Sequence, residues 1–151
     1  MYVGEEDNMP VNVKQLNSLA LAYIGDAVYE VHVRNFLIES GQVRPNELHQ
    51  EAVSYVEATS QAAVVHNWLD KDLLTEEEQV IIRRGRNAKS NSTPKNMPVQ
   101  AYRYATAFEA LIGYHYLSQN NDRLYELFHQ AINFIQKGKK DKEGTKSWMK
   151  R

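Results

Sequence analysis

Apolar residues recur at three- and four-residue spacing in five stretches of this chain, and no stretch alternates apolar and polar for more than a few positions. That pattern predicts an all-α fold built as a helical bundle. The first stretch opens at Asn17, a good helix cap, and its stripe reads Leu19, Ala20, Tyr23, Ile24, Ala27, Val28 and Val31. It is expected to run to about Glu39 and to stop at Gly41. After Arg44-Pro45, Asn46 is placed as the cap of one long helix with Leu48, Ala52, Val53, Val56, Ala63 and Val64 inward. Thr75-Glu-Glu-Glu78 is a capping box opening a helix that ends by Gly85. Ser90 to Pro98 reads as a loop, Val99 to Leu117 as a helix with Ala101, Tyr104, Ala105, Phe108, Leu111 and Ile112 buried, and Asp122 to Gln136 as a last helix. The organisation expected is a flexible N-terminus over 1–11, one folded domain over 12–136 and a basic disordered tail over 137–151.

Two carboxylates interrupt these apolar runs. Asp26 stands alone within Leu19 to Tyr29, and Glu109 within Tyr104 to Tyr114. At about 100° per residue each falls at the edge of its helix stripe, so two helices packed through those stripes can bring the pair together at the seam. Gly25, Ala22, Ala110 and Gly113 are small, which leaves room there for a metal ion and a phosphate. An acid at the margin of a core needs a partner, and a divalent cation is one; a solvated helix residue is the plainer alternative for either acid alone. Glu30, one turn after Asp26, is a helper at most.

Composition narrows the picture further. With 151 residues, 42% hydrophobic and 25% charged, the chain has the make-up of one ordinary globular domain. It has no cysteine, which excludes disulfides and thiolate metal sites. No run of about 18 apolar residues and no charged-then-apolar leader is present, so a cytoplasmic protein without a membrane partner is expected.

The net charge is only -1, but it is segregated. Acids cluster at Glu5-Glu6-Asp7 and Glu76-Glu77-Glu78, whereas from Gln79 to Phe108 there is no acid and there are Arg83, Arg84, Arg86, Lys89, Lys95 and Arg103. Such a segment is either a solvated loop or a surface for a nucleic-acid backbone, and the interleaved Ser, Asn and Gly favour close approach to a backbone. The lysines of the tail add weak RNA attraction or simply solubility. Tyr102, Tyr104 and Tyr116 are expected in the core. The five histidines form no His-Asp pair and no ligand spacing, and are expected to be structural or superficial.

Tyr23-Ile-Gly-Asp26 followed by Ala-Val resembles the signature helix of the ribonuclease III family, and Phe-Glu109-Ala-Leu-Ile-Gly113 resembles its second acidic motif. Leu19 to Asp26, Arg84-Gly-Arg-Asn-Ala-Lys-Ser90, Thr93-Pro-Lys-Asn96 and Tyr102-Arg-Tyr look like the Mini-ribonuclease III subfamily, the short bacterial form that is a catalytic domain alone. The resemblance covers about residues 14 to 135, and no room is expected after it for a double-stranded-RNA-binding domain. It implies a ribonuclease III-like domain that cleaves double-stranded RNA and leaves 5′-phosphate ends, with Mg²⁺ held by Asp26 and Glu109 as catalytic and metal-binding residues. The acid-free basic segment is read as placing RNA contacts at Arg83, Arg84, Arg86, Lys89 and Lys95. The resemblance further implies a homodimer, maturation of the 23S (large-subunit) ribosomal RNA precursor, and contact with a ribosomal protein or an assembling subunit. The family usually carries further acids where this chain has Ala22 and Thr106. A non-catalytic RNA-binding or ribosome-associated domain on the same fold is the competing reading. An all-α nucleotide hydrolase would want a denser acid cluster or a His-Asp doublet, which the sequence lacks.

Overall fold

A computed structural model describes residues 12–41, 44–89 and 93–149, with side chains through 142. All regular structure among these residues is helical, as expected. After a short 3-10 turn at Val13–Gln15 come α1 (Ser18–Ser40), a second 3-10 turn (Pro45–Glu47), α2 (Leu48–Val56), α3 (Ala58–Asp70), α4 (Glu76–Arg86), α5 (Val99–Leu117) and α6 (Asn121–Met149). The expectation of a flexible stretch at 1–11 lies outside the described residues, as does the start of the 90–98 loop.

The cap residues carry much of this order. The Asn17 side chain accepts from the Leu19 amide at 2.8 Å, and Gly41 closes α1 in the left-handed conformation (φ 64°). At α4 the Thr75 hydroxyl accepts from the Glu78 amide at 3.1 Å and the Glu78 carboxylate accepts from the Thr75 amide at 2.9 Å. Both halves of the box are therefore made.

Helix α5 is the axis of the fold. Residues 105–108 and 110–115 are buried, because α1, α3 and α4 pack around it and α6 closes part of the remainder. A helix apolar on every side has to be enclosed in this way. The rings of Tyr29 and Trp68 lie against Phe108 at 4.8 and 5.6 Å between centroids, joining α1 and α3 to α5.

Three expectations need correction. The buried face of α1 is Leu21, Ala22, Gly25, Tyr29, Val33 and Leu37, not the stripe beginning at Leu19. On that expected stripe Tyr23 is 83% and Val31 59% exposed. The helix is apolar on two sides, and the periodicity chose the wrong one because Gly25 adds no hydrophobic weight while making the tightest contact.

The long helix from Asn46 is in fact two. Glu57 is extended (ψ 151°) and breaks the ladder, and the Ser60 hydroxyl donates to the Ser54 carbonyl at 2.7 Å, satisfying a carbonyl that the break would orphan. Val53 and Ala63 consequently turn outward.

The last helix does not stop near Gln136. Its backbone runs helical to Met149 through the residues expected to form a disordered tail. Lys139 fixes this extension, with its ammonium 2.6 Å from Glu51, 3.0 Å from the Ser54 hydroxyl and 4.9 Å above the Tyr55 ring. Among the described residues no helix is long and apolar enough to cross a membrane.

Candidate active site

Glycine makes the site possible. At the crossing of α1 and α5, a Cβ on Gly25 would lie 1.8 Å from the Glu109 carbonyl oxygen, and one on Gly113 would lie 2.0 Å from the Leu21 carbonyl oxygen. The two helices run antiparallel and touch backbone to backbone, which only residues without a side chain allow. The glycines therefore leave no room for a ligand at their own positions, contrary to expectation. Their role is to draw the flanking residues together.

Asp26 follows Gly25, and Glu109 supplies the carbonyl that Gly25 meets, so the two side chains leave the crossing side by side. Asp26 is exposed at the rim and Glu109 is partly buried beneath it. The Glu109 carboxyl is pushed up to about 9, first by burial and then by the hydrogen bond and negative charge of Asp26. Two carboxylates pressed together this way share a proton or hold a cation. Oxygen donors of this kind suit a hard divalent ion such as Mg²⁺, which characteristically takes one or two carboxylates and completes its shell with water and phosphate.

The positions one turn before each acid contribute no ligand. Ala22 and Thr106 are each only 7% exposed, and the Thr106 hydroxyl donates to the Tyr102 carbonyl at 3.0 Å. Glu30 is held by Arg34 at 3.0 Å. Among the described residues no group of three or more His, Asp or Glu is placed to hold a metal.

The raised Glu109 carboxyl has a consequence for stability. The folded protein keeps a proton there that the unfolded chain, with the ordinary value of 4.5, has already released. That contribution is complete below 4.5 and is lost as pH rises through about 9. In a metal chelator, the melting temperature of the wild type is expected to fall more steeply between these limits than that of Glu109→Gln. Parallel curves would show that the two carboxylates do not meet.

Of the five cations expected to bind RNA, the structure gathers three. Arg83, Arg84 and Lys89 line an open groove of about 480 Å³ with Asn17, Ser18, Leu19, Asn87 and Ala88. Arg86 turns away from them; its guanidinium approaches the Tyr104 hydroxyl at 3.5 Å and lies 6.0 Å from that ring. Lys95 is exposed on the loop before α5. Gly85 fixes this end of α4, since a Cβ there would come within 2.8 Å of the Ala107 Cα.

One cluster has no counterpart among the sequence expectations. Buried His115 places Nε2 2.7 Å from a Glu78 carboxylate oxygen, and Arg123 donates to the same carboxylate at 2.8 and 2.9 Å. Burial alone would raise the Glu78 carboxyl, but Arg123, His115 and the Thr75 amide together hold it well below the usual carboxylate range. His115 is structural, as expected, yet it has an acidic partner. The partners stand 37 and 45 residues apart, so no spacing signal exists. The cluster ties α4, α5 and α6 together.

The antiparallel α1–α5 pair therefore crosses at two glycines and presents two carboxylates side by side, inside an all-α domain. A ribonuclease III domain model matches residues 19–120. The chain is 51% identical over 122 residues to Mini-ribonuclease 3 of Enterococcus faecalis, covering 81% of this chain and 92% of that protein. It is 48% identical over 127 residues to Mini-ribonuclease 3 of Symbiobacterium thermophilum, covering 84% and 96%. The crystal structure of a protein from Fusobacterium nucleatum superposes with a TM-score of 0.69 at 28% identity, over 84% of this chain and 97% of that one. The chain belongs to the ribonuclease III family of endoribonucleases, within its Mini-ribonuclease 3 branch.

Proposed function

We propose that this protein cleaves double-stranded RNA with Mg²⁺ held between Asp26 and Glu109. The observation that carries the reading is the carboxylate pair itself, clamped by Gly25 and Gly113 and open to solvent on the Asp26 side. When bound, Mg²⁺ supplies charge relief on the phosphoryl oxygens and lowers the pKa of a water for attack. Asp26 and Glu109 hold and orient it, and the groove cations neutralise neighbouring phosphates. By family analogy the products carry a 5′-phosphate and a 3′-hydroxyl. A domain that only bound RNA would need the basic groove but not this pair, which destabilises the fold above the ordinary carboxylate range. The distinguishing experiment is digestion of a long RNA duplex with and without Mg²⁺.

The groove yields a prediction of its own. Changing Arg83, Arg84 and Lys89 to Ala should flatten the plot of log affinity against log salt by about 0.7 to 0.9 for each phosphate that no longer meets a cation. Arg86→Ala should change it little, because that guanidinium is turned toward Tyr104. Equal slopes for all variants would mean that the groove faces away from RNA.

The working unit we propose is a homodimer, and the substrate a precursor of 23S ribosomal RNA, bound either free or within an assembling subunit alongside ribosomal protein. The exposed face of α1 supports the dimer, since Tyr23, Val31 and Ile38 are large apolar side chains left in solvent. Two-fold pairing would set two sites against one duplex. Light scattering should give about twice the 17.4 kDa chain mass, and Tyr23→Glu with Val31→Glu should halve it. A wild type that stays at 17.4 kDa while cutting both strands would contradict the dimer and leave the catalytic reading intact.

A further inference from the structure

The basic groove has a fixed position relative to the carboxylates. Leu19, on its wall, and Asp26 are seven residues apart in one helix, so they share a line along α1 and differ by two turns, about 10 Å of rise. Opposite Leu19 stand Arg83, Arg84 and Lys89, and the Ser18 and Asn17 side chains complete the wall. Among the described residues no acid lines the groove, and none of the three cations has an ion-pair partner. Two of the walls are anchored: Asn17 caps α1 at 2.8 Å, and Gly85 seats the end of α4 on Ala107.

We infer that this groove receives one backbone phosphate of the strand being cut, one or two nucleotides from the scissile bond, and so sets where the cut falls. The inference rests on the nuclease reading and adds a register to it. Three cations beside small polar side chains in an open groove suit the anionic oxygens of a phosphodiester, and the deep, narrow major groove of A-form RNA keeps side chains from the base edges there. A span of about 10 Å along α1 is what one or two nucleotides cover along a single strand, which assigns both phosphates to the cut strand. A rigid helix then acts as the ruler between them.

The test is a set of RNA duplexes in which each phosphate near the cut is replaced singly by an uncharged methylphosphonate. Affinity is measured with Asp26→Asn, which cannot cut, and the cut itself is mapped with wild type on the unmodified duplex. One position on the cut strand, one or two nucleotides from the scissile bond, should lower the salt slope by about 0.7 to 0.9. Adding Arg84→Ala and Lys89→Ala should abolish the effect of neutralising that position while leaving the effects of other positions unchanged. A sensitive position on the opposite strand, or one whose effect survives in the variant, overturns the inference. Cutting by wild type with no such coupled phosphate removes the groove assignment alone. Failure of wild type to cut any duplex removes the nuclease reading, and the register falls with it.

Discussion

Asp26→Asn and Glu109→Gln should each cut RNA at least about a thousandfold more slowly than wild type, a loss of about 4 kcal/mol of transition-state stabilisation. Both changes keep the shape of the side chain and remove only the charge that holds the cation. Duplex affinity should stay within a few-fold, because the groove cations lie on other residues. Stability supplies an independent check. Burial and the adjacent Asp26 make the folded protein hold a proton on Glu109 at pH 8 that the unfolded chain releases, so neutralising either partner removes that cost. Both variants should therefore melt at a higher temperature than wild type in chelator at pH 8. Slow cutting with a lower melting temperature would mean that the substitutions damage the fold and say nothing of catalysis.

Gly25→Ala and Gly113→Ala should be far more harmful than their size suggests. Each new methyl would sit about 2 Å from a backbone carbonyl of the opposing helix, and a backbone cannot step aside as a side chain can. The helices must separate, and α1 loses its seat on the central helix. Overpacking of this kind costs about 3 kcal/mol or more. It also parts Asp26 from Glu109, so activity should fall with stability. The internal control is Gly138 on α6, where a Cβ meets nothing within 4 Å. Gly138→Ala should be neutral or should stabilise by up to about 1 kcal/mol, as alanine does in an exposed helix. Urea unfolding of the three variants measures all of this. A Gly25→Ala protein as stable as Gly138→Ala would show that the helices are not in backbone contact.

The contrast between these glycines also shows what could be read from the chain. Local signals were legible: Asn17 and Gly41 bound α1, Thr75 and Glu78 open α4, and each acts within a few residues of itself. The pairing of Asp26 with Glu109 was legible too, because each marks the edge of an apolar run. The side of α1 that faces the core was not. Leu19, Tyr23 and Val31 outweigh Gly25 on any hydrophobic scale, yet the glycine decides the packing because it lets two backbones meet. The break at Glu57 was hidden for a similar reason. Residues around it are ordinary helix formers, and the turn is held by a hydroxyl–carbonyl bond across six residues. The Glu78, His115 and Arg123 cluster joins three helices and leaves no periodic trace.

The most direct measurement uses wild-type protein, one long RNA duplex and its separated strands, each incubated with Mg²⁺ or with EDTA. The pair of carboxylates at the helix crossing predicts that only the duplex is cut, only with Mg²⁺, into fragments bearing 5′-phosphates. A duplex left whole at saturating Mg²⁺, or cut equally well in EDTA, would contradict it.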